Sequence, residues 1–239
     1  MSRSPIVVYC DFDGTVTQGD VTDLLLSELA DPSWRLVEAK WEQGLIGSRE
    51  CLARQIPLMQ GGWKAIEAQL RHVKLDPSFA PFARWCAARM IPLRIVSDGV
   101  DRVIETLLAR EGITVGAVYA NHLLESASGE LSLVFPYPSV QLACNAGLCK
   151  CERVDGGPEA PLRIVIGDGR SDRCWAARAD RVFAKSELLT YCCTQAIPCA
   201  PFADFHDVRR AIALLQDLST RRFSTPIGAG CPMNGSMDA

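Results

Sequence analysis

The chain has 239 residues, with 25 Lys and Arg against 28 Asp and Glu, a net charge of −3, and 48% apolar residues. This length suits one domain with a large insertion or two small domains, and its core needs no disulfides. The charge balance argues against a nucleic-acid partner, which normally requires a basic excess. No apolar run approaches the ~20 residues of a membrane span, and Ile6–Cys10 is too short for a signal peptide. We therefore expect a cytoplasmic protein with no membrane partner.

Short apolar runs rich in β-branched residues predict strands of a parallel sheet that is buried on both faces. These runs are Ile6–Cys10, Pro92–Val96, Val115–Ala120, Leu162–Ile166 and Arg181–Ala184. Helical periodicities alternate with them, at 101–110, 172–179, 186–194 and 207–218. Strands that alternate with helices predict right-handed crossovers and a Rossmann-like α/β fold.

The segment 17–76 departs from this alternation, because it contains helical patches and no strand-like run. We expect it to form a helical cap inserted into a core made of residues 1–16 and 77–218. A small β-hairpin is predicted between Asn121 and Phe135. The last segment, 219–239, lacks periodicity and is expected to be a flexible tail.

The most specific motif follows the first predicted strand and reads Asp11-Phe12-Asp13-Gly14-Thr15. In an extended chain Asp11 and Asp13 project to the same side, because strand side chains alternate. Two carboxylates this close in a dry site require a cation, and Mg²⁺ prefers oxygen ligands. One carboxylate can then attack an electrophile while the other exchanges a proton with the leaving oxygen. Gly14 permits a sharp turn, and the Thr15 hydroxyl can donate to an anion; a simple Asp-Gly turn is the alternative.

Ser97, followed by Asp98 and Gly99, closes the second predicted strand and leads into a helix. Such a position forms an anion or substrate site, or merely a helix N-cap. Lys150 is a further candidate, because several carboxylates facing a phosphoryl group require a fixed cation. The alternative for Lys150 is an ordinary solvated side chain.

Asp168 follows the predicted strand Leu162–Ile166, where it could complete the oxygen shell of a metal. Asp172 lies four residues later, at a predicted helix start, and could orient Lys150 or bind the metal's water shell. Helix capping is the structural alternative. A dinucleotide site is disfavoured, because Gly167-x-Gly169 lacks the third glycine of that motif.

In this order the four motifs resemble the haloacid dehalogenase superfamily of phosphatases, over roughly Ile6 to Leu218. The resemblance implies that Asp11 is a nucleophile forming an aspartyl-phosphate. It implies that Asp13 acts first as general acid and then as general base. The remaining implied roles are a phosphate clamp of Thr15, Ser97 and Lys150, Mg²⁺ ligands Asp11, Asp13 (through its carbonyl) and Asp168, and an accessory acid, Asp172.

The helical insertion resembles the type-1 cap of the phosphoserine-phosphatase-like subgroup of that superfamily. Within the subgroup, the strongest likeness is to the methionine-salvage phosphatases that act on hydroxyketo-methylthiopentenyl phosphate. The residues carrying it are Trp41, Gly44, Ile46, Arg49-Glu50, Asn121-His122 and Cys149 before Lys150. Phosphocholine and phosphoethanolamine phosphatases share the Cys-Lys pair. The chain departs from the subgroup where Asp98 follows Ser97, because two glycines are usual there.

Residues of the cap are expected to set substrate specificity. Asp20 could meet a substrate amine or hydroxyl, and Arg49 or Arg54 could bind a substrate carboxylate in a bidentate pair. For each of the three, an ordinary helix-surface charge is the alternative.

The eleven cysteines are expected to be reduced and mostly buried as small apolar residues. An alternative is a second metal, Zn²⁺, at Cys144, Cys149 and Cys151, for which His122 would have to supply the fourth ligand. The other histidines lack ligand spacing and are expected on the surface or in the core: His72 and His206.

The function predicted from these patterns is Mg²⁺-dependent hydrolysis of a small phosphomonoester, with the methionine-salvage ketose phosphate as one candidate substrate. Phosphoserine and amino-alcohol phosphates are alternative substrates. A phosphotransferase, a non-catalytic phospho-ligand binding protein and a structural or interaction protein are alternative functions.

Overall fold

The computed structural model describes residues 6–139, 144–154 and 161–223, with side chains described up to residue 216. Seven strands are present among them. They are β1 Ile6–Cys10, β2 Leu93–Val100, β3 Ala117–Glu125, β4 Leu131–Val134, β5 Leu162–Gly167, β6 Arg181–Ala184 and β7 Ala200–Pro201. They form one sheet in the order β4-β3-β2-β1-β5-β6-β7, in which only the β3–β4 pair of these strands is antiparallel. The predicted Rossmann-like α/β fold is therefore confirmed.

Strand β1 lies at the centre of the sheet, where Cys10 pairs with Ile95 of β2 and Ile166 of β5. All five of its residues are buried. Ile6 and Val8 pack into one apolar cluster, whereas Val7 packs into another. A strand covered on both faces must be apolar throughout, which explains why its sequence shows no polar alternation.

The described residues form ten helices, whose apolar sides pack against the sheet or, in the segment 17–76, against one another. They are α1 Val21–Leu29, α2 Trp34–Glu42, α3 Ser48–Gln55, α4 Gly62–Leu70, α5 Phe79–Ala88, α6 Asp101–Arg110, α7 Lys150–Arg153, α8 Arg173–Ala176, α9 Ser186–Thr194 and α10 Phe205–Phe223. Short 3-10 turns occupy Ile56–Leu58 and Arg170–Asp172. No helix in the described part of the chain has both the length and the apolar character needed to cross a membrane.

Helices α1–α4 all lie within the segment 17–76, as its helical periodicity predicts. The two ends of this segment meet in an antiparallel bridge between Thr17 and Leu75. Asp20 caps α1, because its carboxylate accepts a hydrogen bond of 2.9 Å from the Asp23 N–H. We propose that the segment is a cap on a core formed by the flanking residues.

Four elements differ by more than one residue from their predicted bounds. Strand β2 runs from Leu93 to Val100, so Ser97, Asp98 and Gly99 lie within it and not after it. Strand β3 continues past Ala120 into the predicted hairpin, where residues 122–125 pair with β4 around Gly129, at φ +83°. Helix α8 ends at Ala176, because the chain turns so that Asp180 can bind Arg163 through three hydrogen bonds. Helix α10 continues to Phe223, five residues into the predicted tail; residues 224–239 lie outside the described part.

The aromatic cluster beneath the sheet should depend on Phe205 of α10. Its fully buried ring lies 4.8 Å from the Phe79 ring and 5.3 Å from the Phe82 ring, between centroids. We expect Phe205→Ala to lower the free energy of unfolding by about 3–5 kcal/mol, measured by urea denaturation. Leu214→Ala on the same helix, at a side chain 64% exposed, is the control and should change it by less than about 0.5 kcal/mol. Equal losses would contradict this account of the core.

Candidate active site

The polar motifs of the sequence converge at the carboxyl ends of three adjacent strands, β2, β1 and β5. This edge of an open α/β sheet is where ligands bind. A cleft of about 540 Å³ opens there, between the sheet edge and helices α1–α3. The predicted site residues that line it are Asp11, Asp13, Gly14, Asp20, Ser97, Asp98, Gly99 and Asp168.

The buried Lys150 links Asp11, at the end of β1, to Ser171 and Asp172, which follow β5 and precede α8. The Lys150 Nζ donates to Asp11 Oδ1 at 2.6 Å, Asp172 Oδ1 at 2.8 Å and Ser171 Oγ at 3.0 Å. Its side chain is 1% exposed, and the ammonium lies 5.0 Å from the centre of the Trp175 ring. Lys150 is therefore a buried cation with fixed partners and not a solvated side chain.

This cluster holds more negative than positive charge. Burial and the neighbouring Asp172 raise the pKa of Asp11 well above its usual value, against the opposing effect of Lys150. Burial alone would lower the pKa of Lys150, yet the charges of Asp11 and Asp172 raise it above its usual value. The lysine stays protonated, and one ammonium does not compensate the carboxylates around it.

Asp13 lies beside the strand end on the cleft side. Its Oδ1 accepts a hydrogen bond of 3.1 Å from the Val21 N–H, at the start of α1. Burial, followed by the charge of Asp20, raises the pKa of the Asp13 carboxyl well above its usual value. A carboxyl group that keeps its proton at higher pH is suited to donate a proton to a leaving oxygen.

Two glycines make room for these carboxylates. Gly14 has φ +69°, and a Cβ there would lie 2.4 Å from Asp168 Oδ2. A Cβ on Gly99 would lie 2.6 Å from Asp13 Oδ2. Ser97 shapes the same turn, because its Oγ accepts a hydrogen bond of 3.0 Å from the Gly99 N–H.

Thr15 and Asp172 hold Asp168 in place from two sides. The buried Thr15 hydroxyl donates to Asp168 Oδ1 at 2.6 Å, and Asp172 Oδ2 accepts from the Asp168 and Gly169 N–H groups at 3.0 and 3.1 Å. Burial raises the pKa of Asp168, while the hydrogen bond from Thr15 lowers it. Neither Thr15 nor Lys150 is among the described residues that line the cleft, so both act on it through carboxylates.

The donor set at this edge fits a hard divalent cation. One carboxylate oxygen each of Asp11, Asp168 and Asp172 lie within 4.8 Å of one another. Both oxygens of Asp172 already accept hydrogen bonds, which leaves Asp11 and Asp168 as the better carboxylate donors. Oxygen ligands with uncompensated negative charge are what Mg²⁺ requires.

Asp98 faces the cap and the segment before Lys150. Its carboxylate accepts hydrogen bonds from the Ser48 hydroxyl of α3 and from the Leu148 N–H, the latter at 2.8 Å. The amide of Asn121 donates to the Asp98 carbonyl at 2.6 Å. The carboxylate that departs from the subgroup pattern therefore joins three parts of the chain.

The cap residues predicted to bind substrate are placed differently from one another. Asp20 lines the cleft, and burial raises the pKa of its carboxyl group. Arg49 lies 5.2 Å from the centre of the Phe135 ring, and Arg54 pairs with Glu50 at 2.5 Å on the surface. Neither arginine is among the described residues that line the cleft.

Sequence reasoning missed Arg170, which joins the core to the cap. Its guanidinium donates to the backbone carbonyls of Trp41 and Glu42, each at 3.1 Å, and lies 4.9 Å from the centre of the Trp41 ring. The sequence feature that could have identified Arg170 is its position between Asp168 and Asp172, because ligand-binding residues cluster after strands. Glu38 was also missed; it lines the cleft and accepts a hydrogen bond of 2.7 Å from Gln55.

Comparison with known proteins agrees with this geometry. The family model described as haloacid dehalogenase-like hydrolase matches residues 8–177. A 2-hydroxy-3-keto-5-methylthiopentenyl-1-phosphate phosphatase of Brevibacillus brevis is 30% identical over 218 residues, covering 88% of this chain and 96% of that protein. The phosphatase of the same name from Geobacillus kaustophilus is 31% identical over 224 residues, covering 88% and 97%. A solved phosphoserine phosphatase, described as a phospho-aspartyl intermediate analogue, matches with TM-score 0.64 at 14% identity, covering 88% and 99%.

The solved structure supports the fold, and the family model and the two relatives support the family. The fold resembles that of the solved phosphoserine phosphatase. The predicted resemblance to the methionine-salvage phosphatases is confirmed by the two relatives. So is the predicted enzyme class, a phosphoric monoester hydrolase. On these grounds, the chain belongs to the haloacid dehalogenase-like hydrolase family.

Proposed function

We propose that the protein is a Mg²⁺-dependent phosphatase that hydrolyses a small phosphomonoester through an aspartyl-phosphate on Asp11. The observation that carries the proposal is the buried cluster in which Lys150 binds both Asp11 and Asp172, with a carboxylate oxygen of Asp168 within 4.8 Å of theirs. Such a cluster disfavours a structural role, because buried charges without a function destabilise a fold.

In the first step, Asp11 attacks the phosphorus atom and the bond to the ester oxygen breaks. Lys150 occupies Oδ1 of Asp11, which leaves Oδ2 for the attack. Asp13 donates its proton to the departing alkoxide oxygen, as its raised pKa allows. The alcohol product leaves, and the phosphoryl group stays on Asp11.

In the second step, Asp13 accepts a proton from water, and the oxygen of that water attacks the same phosphorus atom. Inorganic phosphate leaves and the Asp11 carboxylate is restored. Mg²⁺, held by Asp11, Asp168 and the Asp13 carbonyl, would neutralise negative charge on the phosphoryl oxygens. Lys150 supplies a second positive charge through Asp11, Ser97 would contact the phosphate from the cleft wall, and Thr15 would act by holding Asp168.

For the substrate, we propose the compound named for the two bacterial relatives, 2-hydroxy-3-keto-5-methylthiopentenyl-1-phosphate. The cap side of the cleft is lined in part by Leu26, Trp41, Cys51 and Leu52, which suit an uncharged thioether chain. Phosphoserine fits less well, because neither Arg49 nor Arg54 is among the described residues lining the cleft to receive its carboxylate. Arg170 does line the cleft, but its guanidinium already donates to the Trp41 and Glu42 carbonyls.

A second candidate is a phosphomonoester with a cationic end, such as an amino-alcohol phosphate. The cap side of the cleft also carries four acidic residues: Asp20, Asp23, Glu38 and Glu42. Burial, then the charges of the other three, raise the pKa of Asp23 to about 6. A substrate ammonium group would relieve this repulsion.

Removal of the nucleophile tests the reaction itself. We expect Asp11→Asn to lower kcat for p-nitrophenyl phosphate by about a thousandfold or more, because an amide is a far weaker nucleophile than a carboxylate. Asp207→Asn, on the surface of α10, is the control and should keep wild-type kcat. Activity of the wild type should disappear with EDTA and return with Mg²⁺. Retained turnover by Asp11→Asn would contradict the proposal. In a separate assay with added alcohols, formation of a new phosphate ester in place of inorganic phosphate would identify a phosphotransferase.

Asp13 should make the metal-free protein less stable as pH rises. A carboxyl whose pKa is raised by folding stabilises the fold only while protonated, so this stability is lost as pH rises through the folded pKa. In EDTA, we expect Asp13→Asn to raise Tm by about 2 °C or more at pH 8 and to leave it unchanged at pH 3.5.

Asp31→Asn is the matched control for this shift, because hydrogen bonds from Ser33 lower the pKa of the exposed Asp31 carboxyl. The pKa shift of Asp31 is therefore opposite in sign to that of Asp13, and Asp31→Asn is expected to give no rise in Tm at pH 8. Thermal unfolding followed by circular dichroism over this pH range measures both variants. A Tm gain that is the same at both pH values for Asp13→Asn would contradict the assignment.

Glu38→Gln distinguishes the two substrate classes. This near-isosteric change removes one charge from the cleft, and the Gln55 amide can still donate to the new carbonyl oxygen. For the thioether phosphate we expect KM within about twofold of wild type, whereas KM for phosphoethanolamine should rise about tenfold. Glu50→Gln, on the outer surface of α3, is the control. Equal changes for both substrates would show that charge in the cleft does not select the substrate.

A further inference from the structure

Three cysteine side chains come together in the segment that carries Lys150, and a fourth, Cys174, lies nearby. The sulfur atoms of Cys144, Cys149 and Cys151 all lie within 4.8 Å of one another, and Cys149 and Cys151 are 3.1 Å apart. Cys174, from helix α8, lines the same groove as Cys144, and burial together with the neighbouring Cys149 and Cys174 raises the pKa of the Cys151 thiol. His122, suggested by the sequence as a fourth ligand, instead pairs with Asp101 at 2.5 Å.

The spacing of the Cys144, Cys149 and Cys151 sulfur atoms is close to that of a tetrahedral thiolate site. Zinc–sulfur bonds of about 2.3 Å place the four sulfur atoms of a tetrahedron about 3.8 Å apart. The three mutual distances fall within 4.8 Å without any metal, so small side-chain movements would suffice. Three of the ligands would come from the segment 144–151, in which Cys149 and Cys151 form a short-range pair, and the fourth would come from α8.

Burial raises the pKa of the Cys144, Cys151 and Cys174 thiols above its usual value. Without a metal these thiols therefore keep their protons, which a bound metal would have to displace.

The segment that carries three of the cysteines also connects the cap to the catalytic cluster. Its Asn145 carbonyl accepts a hydrogen bond of 3.2 Å from the Arg49 N–H of α3, and its Leu148 N–H donates to Asp98. Lys150 lies between the last two cysteines, and Asp172 precedes Cys174 by two residues. A metal that links this segment to α8 would therefore hold Lys150 within hydrogen-bonding distance of Asp172.

From this juxtaposition we propose that Cys144, Cys149, Cys151 and Cys174 bind one structural Zn²⁺. The metal positions Lys150 against Asp11 and Asp172, and it is distinct from the Mg²⁺ of the proposed reaction. Thiolates select zinc over magnesium, whereas the carboxylates of the cleft select magnesium. Zinc binding releases the thiol protons, so its affinity should fall at acidic pH.

The first test is the zinc content of the full-length protein, purified without chelators, in excess Mg²⁺. We expect about one zinc per chain, measured by inductively coupled plasma mass spectrometry, and its retention in Asp168→Asn, which alters the carboxylate site. Cys151→Ser should lose it. Cys86→Ser, at a buried cysteine of α5, and Cys193→Ser, at an exposed one of α9, should keep it.

Titration of the chelator-treated wild type with Co²⁺ gives a readout that depends on no variant and no activity. Four thiolate ligands predict strong sulfur-to-cobalt charge-transfer absorption, which one equivalent of Zn²⁺ abolishes. Cys174→Ser should weaken cobalt affinity at least about tenfold, while Cys193→Ser leaves it unchanged. The proposal is overturned if the protein binds no zinc or cobalt, if Cys174→Ser binds equally well, or if mass spectrometry finds a Cys149–Cys151 disulfide.

Discussion

The buried ammonium group of Lys150 is the interaction on which the rest of the site depends. It holds Asp11 of the first strand's end and Asp172 of the α8 start, which are 161 positions apart in the sequence, within one hydrogen-bonded cluster. Without it, the carboxylates at this edge would repel one another in a region of low dielectric constant. With it, the cluster still carries excess negative charge, and this excess gives the cleft its attraction for cations.

The topology of the sheet makes the cluster possible. Because β1 lies between β2 and β5, three loops from distant parts of the sequence leave the sheet at one edge. The apolar strands fix the ends of these loops, and glycine at position 14 lets Asp168 approach the backbone closely. The large apolar core on both faces of the sheet offsets the free energy required to hold these polar groups close together.

Much of this arrangement could be predicted from the sequence. Runs such as Ile6–Cys10 identify buried strands by composition, and acidic residues placed directly after them must meet at one edge. The sequence could not show that Asp98 binds the cap, nor that Arg49 and Arg54 lie away from the cleft. Those outcomes depend on how helices α1–α4 pack against the core, which local periodicity does not determine. The sequence identified three of the four proposed zinc ligands, because Cys174 comes near the other three only through the fold.

The bridge formed by Arg170 has a consequence for how the molecule moves. Carbonyl groups at the end of a helix need donors, and Arg170 supplies them to α2 from a position two residues after Asp168. A lateral displacement of the α2 terminus would therefore pull on the loop that carries Asp168. Through this bridge, the width of the cleft mouth and the position of that carboxylate would change together.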